Sequence, residues 1–151
     1  MRIRNTARWL PLVAGLLALP LAPGCGGASA LLGRDSEAKV MLVARDISDL
    51  ELIVSPIEGS PDAAGVCSDR QVGMGCTRVF RSDTTTFTFR TRSTASEHPY
   101  YVYVRNTAGT ARTATIEVRM DDVRKVYETI SVAGGATVRA ARIYRNNAEK
   151  G

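Results

Sequence analysis

Histidine is almost missing from this 151-residue chain: His98 is the only one, and tryptophan also occurs once. A metal centre needs several convergent His, Cys, Asp or Glu ligands, so His98, beside Glu97 in "SEHPYY", reads as a surface or capping residue. The same scarcity weighs against a serine or cysteine nucleophile, because one histidine would have to serve as base and no serine sits in a strained elbow sequence. Glu51, Glu58, Asp62, Asp69 and Glu117 offer carboxylates for glycosidic chemistry, but no spacing pairs any two of them. Asp121 and Asp122 lack the spacing of a calcium loop and read as a turn. "GVCSDRQVGMGC" contains glycines without the strand, helix and lysine of a phosphate loop. A dense Lys/Arg block is absent too, so nucleic acid is not an expected partner. The expectation is a non-catalytic protein with no cofactor and no bound metal.

Long apolar runs are also lacking. The stretch from Trp9 to Leu21 is interrupted by Pro11 and Pro20 and falls short of the roughly 20 residues a spanning helix needs. Preceded by Arg2, Arg4 and Arg8 and followed by small residues, it has the tripartite layout of an export signal. The exit, Ala22-Pro23-Gly24-Cys25, resembles the lipobox of bacterial lipoproteins, although Ala22 stands where that pattern usually has leucine. The resemblance implies a signal peptide over 1–24 and a Cys25 that carries acyl chains, palmitate among them, and becomes the mature N-terminus. Gly26 after the cysteine, rather than aspartate, implies sorting to the outer membrane, with the domain periplasmic or surface-facing. Such chains anchor through the apolar area they bury, about 0.8 kcal/mol per CH₂.

The removed segment holds three of the 20 basic residues and none of the 15 acidic ones, so the formal charge falls from +5 to +2. Residues 25–38 read as a tether, 39–145 as one domain and 146–151 as a frayed tail. With Cys25 assigned, Cys67 and Cys76 remain as an even pair in an oxidising compartment, and a disulfide between them would rigidify the irregular stretch 56–76. Their spacing fits no redox dithiol.

The folded part alternates with a period of two. "KVMLVA" (39–44) and "DLELIVS" (49–55) read as strands separated by "RDISD", with a short helix over 45–52 as the alternative, and Pro56 ends the second. "TTTFTFR" (84–90) puts Phe87 and Phe89 on one face. "YYVYVRN" (100–106) puts Val102 and Val104 on one face against Tyr101, Tyr103 and Arg105. "ARTATIEVRM" (111–120) sets Ala114, Ile116, Val118 and Met120 against Thr113, Thr115, Glu117 and Arg119. "NTAGT" and "MDDVR" read as hairpin-type turns, and the Gly134–Gly135 pair between 126–133 and 136–145 suits a turn with positive φ. The last strand changes parity between Ala140 and Ile143, which a bulge at Ala140–Ala141 reconciles.

Short strands without a long helix point to an all-β, antiparallel β-sandwich with a disulfide-closed loop. Its core should contain Phe87, Phe89, Val102, Val104, Ile116, Val118 and Val132. The run Val102, Val104, Asn106, Gly109, Ile116, Val118, Gly134, Gly135 and Val138 resembles the second half of small bacterial immunoglobulin-like domains.

Tyr101, Tyr103, Arg105 and Arg119 are the expected partner-binding residues. The strand at 111–120 follows that at 100–106 through a hairpin-type turn, so its outer row of Thr113, Thr115, Glu117 and Arg119 is expected beside Tyr101, Tyr103 and Arg105, forming one amphipathic patch. Tyrosine and arginine are typical of protein-docking hot spots, and the same mixture suits a glycan. The competing expectation is cross-strand packing, with this face covered by the 56–76 loop. The functional expectation is a lipid-anchored binding or structural module docking an envelope protein. Glycan binding, or a small periplasmic enzyme or inhibitor, is the alternative.

Overall fold

The computed structural model describes residues 35–68, 73 and 75–151. The expected signal peptide, Cys25 and most of the tether lie outside the described residues. Among the described residues, ten strands follow in order: β1 (Glu37–Val43), β2 (Leu50–Ser55), β3 (Cys67–Ser68), β4 (Thr77–Phe80), β5 (Thr84–Arg90), β6 (Tyr100–Asn106), β7 (Arg112–Met120), β8 (Val123–Val132), β9 (Thr137–Ile143) and β10 (Ala148–Lys150). They form two five-stranded sheets, sheet 1 in the order β4-β5-β1-β7-β8 and sheet 2 in the order β10-β9-β6-β2-β3. Every pairing is antiparallel.

Alternation decides what lies between the sheets. Phe87 and Phe89 from β5, Val102 and Val104 from β6, Ile116 and Val118 from β7 and Val132 from β8 are all buried in one cluster. Leu42, Leu52, Val54, Met120 and Ile143 fill the space around them. Burying such a side chain stabilises the fold by about 1.5–3 kcal/mol. Phe89 meets Tyr100 edge to face, with ring centroids 5.1 Å apart. The parity change in β9 is a bulge: Val102 pairs with Ala141 while Tyr103 pairs with Arg139, so Ala140 is the extra residue and both alanines are buried. "MDDVR" is a two-residue hairpin in which Asp121 and Asp122 adopt φ of 48° and 64°, the geometry of a type I′ turn.

One of the expected hairpins is not a hairpin. β6 pairs with β2 and β9, and β7 with β1 and β8, so "NTAGT" carries the chain from sheet 2 to sheet 1. The glycine pair forms the expected turn, with Gly135 at φ of 73°, and carries the chain back from β8 to β9. Asn106 holds the first crossing from inside: its buried side-chain amide donates to the carbonyls of Thr110 (2.8 Å) and Val132 (2.9 Å), and its oxygen accepts the Ala108 N–H at 2.9 Å. The two crossings lie backbone to backbone, since a methyl added to Gly134 would overlap the Gly109 carbonyl.

The turn at "RDISD" separates β1 from β2 as expected, and its helical alternative over 45–52 reduces to a single 3-10 turn, Ile47–Asp49. Two other expectations change. The 56–76 stretch is not wholly irregular, because β3 within it pairs with β2. The tail is not frayed: Ala148 is buried, β10 pairs with the otherwise open edge of β9, and the Gly151 N–H donates to Ala140 at 3.0 Å. The Cys67–Cys76 disulfide is closed, with Cα atoms 6.3 Å apart. It joins β3 of sheet 2 to the residue preceding β4 of sheet 1, stapling the two sheets along one side.

Candidate functional site: two unlike outer faces

β6 turns Tyr101, Tyr103 and Arg105 outward from sheet 2, as its alternation requires. Across the strands they stand in rows: Ser55–Tyr101–Arg142, Ile53–Tyr103–Arg139 and Glu51–Arg105–Thr137. Residues 56–66 fold over these rows as a strap. The Gly59 N–H donates to the Tyr103 hydroxyl at 2.7 Å, and Ile53, Val66 and Tyr103 form a small apolar cluster with Ala63 and Tyr101 packed against it. Arg105 donates to both Asp62 oxygens at 2.8 Å and to Glu51 at 3.1 Å. Glu58 on the strap forms ion pairs with Arg139 and Arg142 and accepts the Tyr101 hydroxyl at 3.5 Å. The hydrogen bonds from Arg105 to Asp62 outweigh its desolvation and hold the guanidinium more firmly protonated. Burial, and then the nearby Glu58 charge, raise the Tyr101 phenol above its ordinary value. All three residues are thus engaged inside the molecule, under the loop that the competing expectation placed there.

Arg119 is not beside them. Because the β6–β7 connection crosses between sheets, the outer rows of the two strands lie on opposite sides of the sandwich. Arg119 belongs to the outer face of sheet 1, in the row Thr77–Thr88–Lys39–Arg119–Arg124. The next row reads Val79–Thr86–Met41–Glu117–Tyr127. Glu117 is buried between two guanidinium groups and accepts from the Nε atoms of Arg119 and Arg124. Burial pushes its carboxyl up, but those hydrogen bonds and charges together outweigh it, and Glu117 lies below the usual carboxylate range. Arg124 also lies over the Tyr127 ring, 4.7 Å from the centroid.

This second face carries no strap among the described residues. A groove of about 520 Å³ runs along β5, floored by Thr84, Thr86 and Thr88 and walled by Met41 and Val43 on one side and Val79 on the other. Lys39 stands at one end, Arg81 and Asp83 at the other. Val79 and Phe80 are 48% and 53% exposed, and Tyr127 is 61% exposed. The sequence reading assigned no role to Val79, Phe80, Met41 or Tyr127. The available signal was "TRVF", a pair of apolar residues between arginines immediately after a cysteine.

His98 is exposed just after the 3-10 turn Ser93–Ser96, and its N–H bonds to the Thr94 carbonyl at 2.9 Å. Of the carboxylates considered for catalysis, Glu51, Glu58, Asp62 and Glu117 all face arginines, and Asp69 lies outside the described residues. Among the described residues no group of three or more His, Cys, Asp or Glu could hold a metal ion. Nor is any helix long and apolar enough to cross a membrane. Asp121 closes the tip of the β7–β8 hairpin onto β1: its carboxylate accepts the Glu37 N–H at 2.9 Å while its own N–H donates to the Glu37 carbonyl at 2.9 Å. That bond, with a second from Ser36, lowers the Asp121 carboxyl below its ordinary value. No protein-family model, curated protein or solved structure matches this chain.

Proposed function

We propose that this chain is a non-catalytic binding module of the bacterial envelope: an immunoglobulin-like sandwich held to the outer membrane by acyl chains on Cys25 and docking a protein partner. The observation that carries the docking part is the inequality of the two outer faces. Sheet 2 is sealed by a strap tied down through Arg105, Arg139 and Arg142. Sheet 1 leaves Val43 and Val79 exposed around a cationic groove, and Tyr127 exposed on β8 of the same face. Exposed apolar groups rimmed by polar ones mark interaction surfaces. The closed Cys67–Cys76 disulfide supports the export part, since such bonds persist in oxidising compartments.

The test combines fractionation with crosslinking in a bacterium that processes lipoproteins. The chain should enter the detergent phase with a mass increment at Cys25 that Cys25→Ala abolishes; export of an unmodified wild type refutes the anchor. Crosslinked partners should survive Tyr101→Ala/Tyr103→Ala, provided the variant folds, and be lost on Met41→Glu/Val79→Glu. The reverse pattern assigns docking to sheet 2 and refutes the reading from face inequality.

A further inference from the structure

Among the described strands, β4 is the one exposed at every residue, and it borders sheet 1 with β5 on one side only. Its backbone shows which groups face outward. Arg81 and Thr84 exchange both N–H···O bonds, at 2.8 and 3.4 Å. Antiparallel ladders alternate from such a pair, so Phe80, opposite Thr85, occupies a position with no bonds to β5. Its N–H and C=O point to the open side, and neither has a backbone partner among the described residues.

The other sheet borders differ. β3 has two residues and β10 three, and β8 presents Arg124, Lys125 and Glu128, the last in an ion pair with Lys150 of β10. Short length and edge charges are the usual protections of a free strand. β4 instead sets Val79 and Phe80 side by side in the open. The charge around them has one sign in excess: neither Lys39 nor Arg81 forms an ion pair among the described residues, and Asp83, the one acid lining the groove, accepts the Thr84 hydroxyl at 3.0 Å.

We propose that β4 is a strand-addition site that takes an extended acidic segment of a partner protein as the sixth strand of sheet 1. Backbone pairing at Phe80 would fix its position, and its alternate side chains would divide between two surfaces. Those on the outer side lie beside Val79 and bring a carboxylate to Arg81; those on the inner side cover Phe80. A second copy of this chain fits less well, because pairing two β4 strands gathers Arg78 and Arg81 from both along one seam. The inference rests on the binding-module reading but not on the anchor at Cys25.

The experiment titrates the full chain, in a mild neutral detergent, with an end-blocked peptide of alternating glutamate and valine about eight residues long, a normal strand length. Backbone amide NMR should show saturable shifts and slowed hydrogen exchange at Phe80. Replacing glutamate by lysine, or N-methylating alternate peptide bonds, should weaken binding by about tenfold or more. Phe80→Pro should abolish binding, and Arg81→Glu should reverse the charge preference. Absence of a saturable change at Phe80 at millimolar peptide overturns the proposal, as does equal binding of the two charge types. Protection of Phe80 that rises with protein concentration alone replaces the partner by a second copy. An unacylated Cys25 would leave these results standing, and their failure would leave the anchor standing.

Discussion

Phe80 and Phe87 lie on neighbouring strands with side chains on the same, inward-directed side of sheet 1, since Arg78 pairs with Phe87 and Phe80 with Thr85. Their surroundings nevertheless differ completely: Phe87 is 0% exposed and Phe80 53%. On the inward side of β4, the cover that buries Phe87 does not reach Phe80. Phe87→Ala therefore removes a fully packed ring and leaves a cavity, a loss of about 3–5 kcal/mol. Phe80→Ala removes a half-wet ring whose specific contact is the Arg78 guanidinium 5.5 Å from its centroid, a loss of about 1 kcal/mol or less. With a urea slope of about 1–3 kcal/mol per molar, the first lowers the unfolding midpoint by on the order of 2 M and the second by a fraction of that. Urea unfolding followed by far-UV circular dichroism, with the slope checked for constancy, measures both. Equal shifts for the two variants would refute this difference in cover, and with it the exposed border on which the strand-addition site depends.

Arg105 should matter more to stability than the strap carboxylate it holds. Arg105→Met deprives buried Glu51 of a guanidinium and should cost about 1.5–3 kcal/mol, whereas Asp62→Asn at the exposed side should cost under about 1 kcal/mol; the opposite order in urea unfolding would show the strap's outer pair to be the stronger. Asp121 and Glu117 have lowered folded-state pKa values, so their contribution is present above the ordinary carboxylate value near 4 and is lost as pH falls through the lower folded value. Asp121→Asn with Glu117→Gln should flatten the acid limb of a stability–pH curve, and an unchanged limb would contradict the assignment. Gly134→Ala should destabilise by about 1–3 kcal/mol because its methyl meets the Gly109 backbone, while Gly109→Ala, which points into open space, should be near neutral in thermal unfolding.

What the sequence disclosed follows from how local each feature is. The period of two reports the direction of each side chain, so the inward set from Phe87 to Val132 could be read directly, as could the bulge at Ala140. The β7–β8 turn was legible because two aspartates with nothing between the flanking strands leave few backbone solutions. Pairing is nonlocal, and here the reading failed. Glycine and asparagine serve a crossing between sheets as well as a hairpin, so nothing in "NTAGT" announces that Asn106 will reach Val132. That single ambiguity put Arg119 beside Tyr103 when the two lie on opposite faces. β4 carried no alternation for another reason: a strand exposed at every residue has no buried side to imprint a pattern on its sequence, and the apolar pair in "TRVF" was its one mark.

The place of β1 in the middle of sheet 1 has a mechanical consequence. It pairs along its whole length with β5 and from Ala38 to Val43 with β7. A pull applied at Asp35 and directed along the strand runs at right angles to those ladder bonds. The bonds on both flanks then share the load together, as in a lap joint, instead of opening one after another as an edge strand peels. A domain suspended by that end would resist extraction of its first strand more strongly than the same number of hydrogen bonds arranged at a border.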